Sequence, residues 1–230
     1  MKLSLLLLFL ALLPQLAEAQ APPRNPRLKH ELDSIYAVDH EWRIMLFSSD
    51  IHYHPDTLAK RFGVRREQVV REIYKRRLQA DSTNQARISQ IMKQYGYPGK
   101  SLVGEPTNEA AWYVIQHSDT IGKYLPLIKK AAEKGELPFY LYAQMLDRQL
   151  MREGKEQLYG TQAYSFLVLN IKTGRREGQP TFVWPIKDAA GVNERRKKAG
   201  FTTTVEQNAA NLGIPYRVVT LKDVEKMPKN

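Results

Sequence analysis

Between residues 28 and 153 apolar side chains return every three or four positions in one stretch after another, a period that fits helices and not strands. Leu32, Ile35, Tyr36, Trp42 and Leu46 make one such stripe and predict a helix over 28–47. Helical patterns follow over 64–95, 107–117, 120–134 and 137–153, with Gly135 and Gly154 as stops. The Asp81-Ser82-Thr83 run has the chemistry of a fresh N-cap and predicts a break in the second of these. Residues 48–63 read as a loop with an extra turn. The remainder changes character: residues 164–171 and 181–184 are aromatic and β-branched around a Lys172-Thr173-Gly174 turn, which predicts a small hairpin. Two short helices close the chain, over 188–199 and after a Thr203-Thr204-Val205-Glu206 capping box. The fold class expected is mainly α with a small β-hairpin in the C-terminal third, α+β being the alternative.

The chain has 230 residues. Lys2, the apolar run Leu3 to Leu13 and Ala17-Glu18-Ala19 read as a secretory signal over 1–19, cleaved before Gln20. A proline-rich linker over 20–27 then precedes a single mostly helical domain over 28–230. A dozen apolar residues are too few to span a bilayer about 30 Å thick, so no stable membrane anchor is expected after cleavage. The expected location is the periplasm or the exterior.

There is no cysteine, which removes disulfides, thiolate metal sites, thiol nucleophiles and lipidation on sulfur. His52 and His54, two apart, are poor metal ligands, because on a helix they diverge and on a strand they give two ligands of the usual three or four. The Gly99-Lys100-Ser101 triplet lacks both the leading glycine of a phosphate loop and the strand before it. No metal or cofactor is expected. A net charge of +11 favours anionic glycans, head groups or small anionic molecules as partners. Arg65-Arg66, Arg71 and Lys75-Arg76-Arg77 read as a solvated helix face rather than a nucleic-acid surface.

Polar residues crowd the middle of the chain. Asp39 falls within an apolar stripe with Arg43 four residues on, either an ion pair within the helix or a pair facing a site. Asn84 is an amide on an apolar stripe with Ile88, Ile91 and Tyr95 and needs a partner, backbone or ligand. His117, next to Gln116 and embedded in the long apolar segment Trp112 to Ile121, is either a hydrogen-bonded core histidine or a proton-transfer residue. Asp119 can act with it only if the helix ends near His117, and can equally cap the next helix. Asp147 comes out at the edge of a buried face carrying Phe139, Ala143, Leu146 and Leu150. It is either an anchor for Arg148, Arg195 or Arg196, or a general base. Gln157, Tyr159 and Thr161 share one face of an extended segment that either binds a sugar or phosphate or stitches the hairpin to the helices.

These residues resemble an uncharacterised bacterial family, domain of unknown function 6624. The resemblance runs from Asp81-x-x-Asn84 through Gly96-Tyr97-Pro98, Gln116-His117-x-Asp119 and Asp147-Arg148 to Gly154-x-x-Gln157-x-Tyr159-Gly160-Thr161-Gln162. It ends at Pro185-Ile186-x-Asp188, Arg195-Arg196 and Gly200. Asp39 and Arg43 look like the family's earlier acidic and basic pair, and residues 48–63 like an insertion. The resemblance implies a mostly helical fold and export in some members, and it brings no activity.

The expected function is therefore a metal-independent hydrolase or lyase acting on a small anionic or glycan-like substrate. His117 and Asp147 are its proton-transfer pair, and Asn84, Gln116, Asp119, Arg148, Gln157, Tyr159, Gln162 and Arg196 bind substrate. The alternative is a non-catalytic envelope module that binds an anionic ligand or a partner protein.

Overall fold

A computed structural model describes residues 24–48, 51, 54–165, 168–169, 176–177 and 180–226. The signal segment, His52 and the Lys172-Thr173-Gly174 turn lie outside them. Helix α1 spans Pro26–Phe47, two residues longer than expected, because Asn25 caps it by accepting from the Leu28 amide at 3.0 Å and Pro26 has no amide to leave unpaired. Leu28, Leu32 and Ile35 lie buried along it, and further on Asp39 and Leu46.

Residues 55–62, expected as loop, form helix α2 (Pro55–Phe62), with Pro55 in its first turn and Gly63 as a left-handed stop at φ 66°. The missed signals are that proline and glycine pair and the Leu58, Ala59, Phe62 stripe, which packs on Val69 and Ile73. Helix α3 runs unbroken over Val69–Tyr95. The expected break at Asp81-Ser82-Thr83 is absent. Packing of Ile73, Asn84, Ile88 and Ile91 outweighs a capping preference of a few tenths of a kcal/mol at residues 82 and 83, which are exposed.

Short α4 (Lys100–Val103) lies in the connection that follows α3, and α5 (Ala110–Ile115), α6 (Ile121–Glu133) and α7 (Phe139–Arg152) follow as expected. Helices α1, α3 and α5 pack together and α7 lies along α6 around one core that holds Leu32, Ile88, Ile115, Ile128 and Met145. The buried residues of α7 are Leu141, Tyr142, Ala143, Met145 and Asp147; at ~100° per residue Asp147 falls at one end of that arc, as expected, yet it is fully buried.

The hairpin forms between β1 (Ala163–Ser165) and β4 (Pro180–Val183), antiparallel, pairing Ala163 with Val183 and Tyr164 with Phe182, while β2 (Val168–Leu169) pairs with β3 (Arg176–Glu177). Phe182 stacks on both Tyr164 and Trp184, Trp184 tilts against Tyr164, and the cluster packs on Met151 of α7. Helices α8 (Val192–Lys198) and α9 (Val205–Asn211) close a second small core around Val183, Ile186 and Val205. The α9 capping box is Thr204 with Gln207, one residue later than expected. A last helix, α10 (Leu221–Glu225), carries its own box of Thr220 and Asp223. The fold is mostly helical with a small antiparallel hairpin, as expected.

Candidate functional site

The structure divides the polar residues singled out in the sequence into two groups with different chemistry. The first is a knot at 157–162. Asp147 is 0% exposed, and its carboxylate accepts from the amides of Leu158 at 2.7 Å, Tyr159 at 3.1 Å and Thr161 at 3.0 Å, and from the Thr161 hydroxyl at 3.0 Å. The carbonyls of the same loop are taken from the other side. Arg195 Nε donates to Leu158 at 3.0 Å, Arg196 Nη1 to Tyr159 at 2.8 Å and Asn208 Nδ2 to Gly160 at 3.0 Å. Gln157 is 0% exposed and donates to the carbonyls of Gln162 and Trp184 while accepting from the Gln162 amide.

Burial pushes the Asp147 carboxyl upward and the amides of Leu158, Thr161 and Tyr159 pull it back. Its lone pairs are committed to donors, so the expected general base is an architectural anion that holds a loop by its backbone. Arg196 is likewise committed: it is 1% exposed, donates to Thr203 and Tyr159 and lies over the Phe201 ring at 4.4 Å. Gln157 and Arg196 therefore hold the fold and do not face a ligand. Tyr159 tilts against Phe201, and Gln162 bonds the Thr161 hydroxyl at 3.0 Å. Asn84 finds its partner in the Ile35 carbonyl at 3.2 Å, which pins α3 to α1.

The second group surrounds an open cleft of about 530 Å³ bordered by Asp39, Arg43, Gln116 and His117. Helix α5 ends at Ile115, so Gln116 and His117 stand in the turn that follows, as the pairing of His117 with Asp119 requires. Asp119 is exposed, however, and Thr120 occupies the N-cap position of α6 without a side-chain capping bond. Gln116 is 9% exposed, and neither its carboxamide nor the His117 ring bonds a described residue.

Four guanidiniums act on His117. Burial and the charges of Arg43, Arg148, Arg77 and Arg152, in that order, push its pKa from 6.5 down to about 3. The ring is also open to solvent, and water screening makes the true depression smaller than the packing around it implies. The unfolded chain takes a proton near 6.5 that the folded chain refuses, so His117 draws stability down as pH falls below that value.

Arg43 is answered by two carboxylates, Asp39 at 3.1 Å and Asp81 at 2.5 Å. Arg77, Arg148 and Arg152 bond no carboxylate among the described residues. Arg77 Nε is buried without any partner while its guanidinium lies over Tyr74 at 4.6 Å, and Arg152 donates only to the Ser118 carbonyl at 2.7 Å. Burial and the Arg152 charge lower the pKa of Arg148, which stays charged.

Asp39 itself is 3% exposed, and burial raises its carboxyl pKa while Arg43 pulls it part of the way back. The pair is an ion pair within the helix, and both residues border the cleft. Arg43→Ala strands that carboxylate. The variant is expected to lose about 3 kcal/mol near pH 7, and the loss shrinks toward pH 4 as Asp39 takes a proton, because a raised carboxyl pKa costs stability only above the unfolded value. Urea denaturation at the two pH values measures it.

The sequence reading missed Arg77 and Arg152. Carrying the Asn84, Ile88, Ile91 stripe back along α3 by three and then four residues reaches Asp81 and Arg77, so the signal was there. Among the described residues no three His, Asp or Glu side chains converge as metal ligands, and no helix is long and apolar enough to cross a membrane.

A model of a family of unknown function, DUF6624, matches residues 67–212. The chain belongs to that family. The DUF6624 match takes in Arg77, Gln116, His117, Arg148 and Arg152 together with the whole 157–162 knot, and it stops short of α1 with Asp39 and Arg43. No curated protein and no solved structure is significantly similar to the chain.

Proposed function

We propose that this DUF6624 protein binds a small anionic molecule in the cleft beside His117. One observation carries the reading: of four guanidiniums that act on His117, three have no carboxylate bonded to them among the described residues, and one of those buries an unpartnered Nε. Arg148 is pushed down by burial and by the charge of Arg152, and a phosphate, sulfate or carboxylate relieves such repulsion and lost hydration through charge-assisted bonds. The binding-module reading gains on the hydrolase or lyase reading because Asp147, the second proton-transfer group, is spent on the 157–162 backbone. Proton transfer keeps one supporting observation: His117 is neutral at the cleft mouth and takes a proton most readily once an anion offsets the arginines. Export with cleavage before Gln20 belongs to the same proposal and is supported by Lys2, the Leu3 to Leu13 run and Ala17-Glu18-Ala19.

Calorimetric titration with inorganic phosphate tests it. Wild type is expected to bind, more weakly as ionic strength rises, and Arg77→Gln with Arg148→Gln to lose at least tenfold in affinity. No binding at millimolar phosphate, or unchanged binding by the double variant, overturns the reading.

A further inference from the structure

A second cavity, of about 130 Å³, opens between α1 and the start of α5 and is bordered by Asp33, Tyr36, Thr107, Glu109 and Tyr113. Asp33 and Tyr36 are three residues apart on α1, and Glu109 and Tyr113 are four apart across the start of α5, so each pair shares one helix face. Two carboxylates and two phenol rings thus meet at one concave place in a chain of net charge +11.

The two carboxylates differ in what answers them. Asp33 pairs with Lys29 at 2.6 Å and accepts from the Thr107 hydroxyl at 2.5 Å. Glu109 is half-buried, and among the described residues neither a cation nor a backbone amide bonds it; its partner is the Tyr113 hydroxyl. Every other buried or half-buried carboxylate among the described residues is met by a cation or a backbone amide. Arg87, Arg76 and Lys100 answer Glu31, Glu72 and Glu105, Arg43 answers both Asp39 and Asp81, and amides answer Glu136 and Asp147. Burial and the Glu105 charge push the Glu109 carboxyl upward, and a cation beside it offsets both.

The walls select the kind of cation. Tyr36 and Tyr113 tilt against each other at 5.0 Å, and both rings are braced, Tyr36 stacked on His40 at 5.3 Å and Tyr113 edge-on to Trp112 at 5.1 Å. Fixed aromatic rings beside a carboxylate receive an organic ammonium, whereas a hard divalent ion needs six or more oxygens. At ~30 Å³ of liquid per water, the cavity has room for about four waters. That suits an ammonium head group and is too small for a sugar or a nucleotide.

We infer that this cavity binds the ammonium group of a small organic cation, with Glu109 as its counter-ion and Tyr36 and Tyr113 as its walls. The site uses none of the arginines around His117, so it stands or falls apart from the anion reading.

Calorimetric titration of the protein tests it with three probes: choline, ethanolamine, and the dimethylbutanol in which carbon replaces the choline nitrogen. At least one of the two cations is expected to bind wild type about tenfold more tightly than the uncharged alcohol, and the tighter of the two shows whether the favoured head group is methylated. Glu109→Gln is expected to erase that ratio while leaving the alcohol within about twofold of wild type. Tyr36→Leu is expected to weaken the better cation about threefold. No binding of either cation at millimolar concentration, binding of the alcohol as tight as that of both cations, or a ratio that survives Glu109→Gln overturns the inference. Far-UV circular dichroism of each variant separates lost binding from lost fold. Should Glu109→Gln not fold, Tyr36→Leu decides, and unchanged cation affinity in that variant overturns the site.

Discussion

Asp147→Ala is expected to be the most damaging single change in the protein, although Asp147 does not border the cleft beside His117. It removes the acceptor for the amides of Leu158, Tyr159 and Thr161 and for the Thr161 hydroxyl, and leaves these donors facing a methyl group. Breaking a buried charged network of this kind costs about 3–5 kcal/mol. For a chain of this length that is a fall in melting temperature of roughly 10–15 °C at ~2–4 °C per kcal/mol. Asp147→Asn keeps the shape but turns two donors toward donors, and is expected to recover little. Thermal denaturation followed by circular dichroism measures both. If Asp147→Ala melts within about 3 °C of wild type, the knot is not what holds the 157–162 loop to α7.

Gly160→Ala attacks the same loop by sterics. Gly160 has φ 66°, and a Cβ built there meets Val205 Cγ2 at 2.5 Å and Ile186 Cδ1 at 2.8 Å. Gly63 has the same φ of 66° with nothing within 4 Å, so it isolates the backbone cost. Left-handed backbone costs an alanine about 1–2 kcal/mol, and crowding a packed core adds about 1–3 kcal/mol. Gly160→Ala is therefore expected to lose roughly 3–4 kcal/mol and Gly63→Ala about 1 kcal/mol. Equal losses at the two positions in urea denaturation would mean that Val205 and Ile186 yield to the methyl group and that the close approach is incidental.

The helices were legible in the sequence because their cores are built from near neighbours, and periodicity reports a buried stripe directly. Helix α2 escaped because eight residues carry too few turns for a period to register, leaving only Pro55 and Gly63 as punctuation. The break wrongly expected at Asp81-Ser82-Thr83 rested on local capping preference, which sequence displays, against packing of Ile73 and Ile88, which it does not. The proton-transfer role expected for Asp147 failed for a related reason. Its burial comes from the hairpin and α8, elements that lie ten to fifty residues later in the chain, and nothing in the α7 pattern announces that a loop will lay its amides on that carboxylate. The Gln157-to-Gln162 run was recognisable as special, but a run of polar residues looks the same whether it grips a ligand or its own backbone. Conversely, Arg77 looked like one more cation on a solvated face, because the convergence of α1, α3 and α7 on His117 is a product of the fold.

The protonation of His117 tests the central claim most directly. In NMR titration of the ring carbon and nitrogen signals, the account predicts that free protein shows no His117 midpoint near 6.5, its ordinary value, because burial and then the guanidiniums of Arg43, Arg148, Arg77 and Arg152 hold it well below. Saturating phosphate is expected to raise that midpoint, since an anion among the arginines removes the charge repulsion that adds to burial in depressing it and, by linkage, binds more tightly as pH falls. A His117 that titrates near its ordinary value and ignores phosphate would contradict the account, leaving an open cleft whose arginines face water and not a ligand.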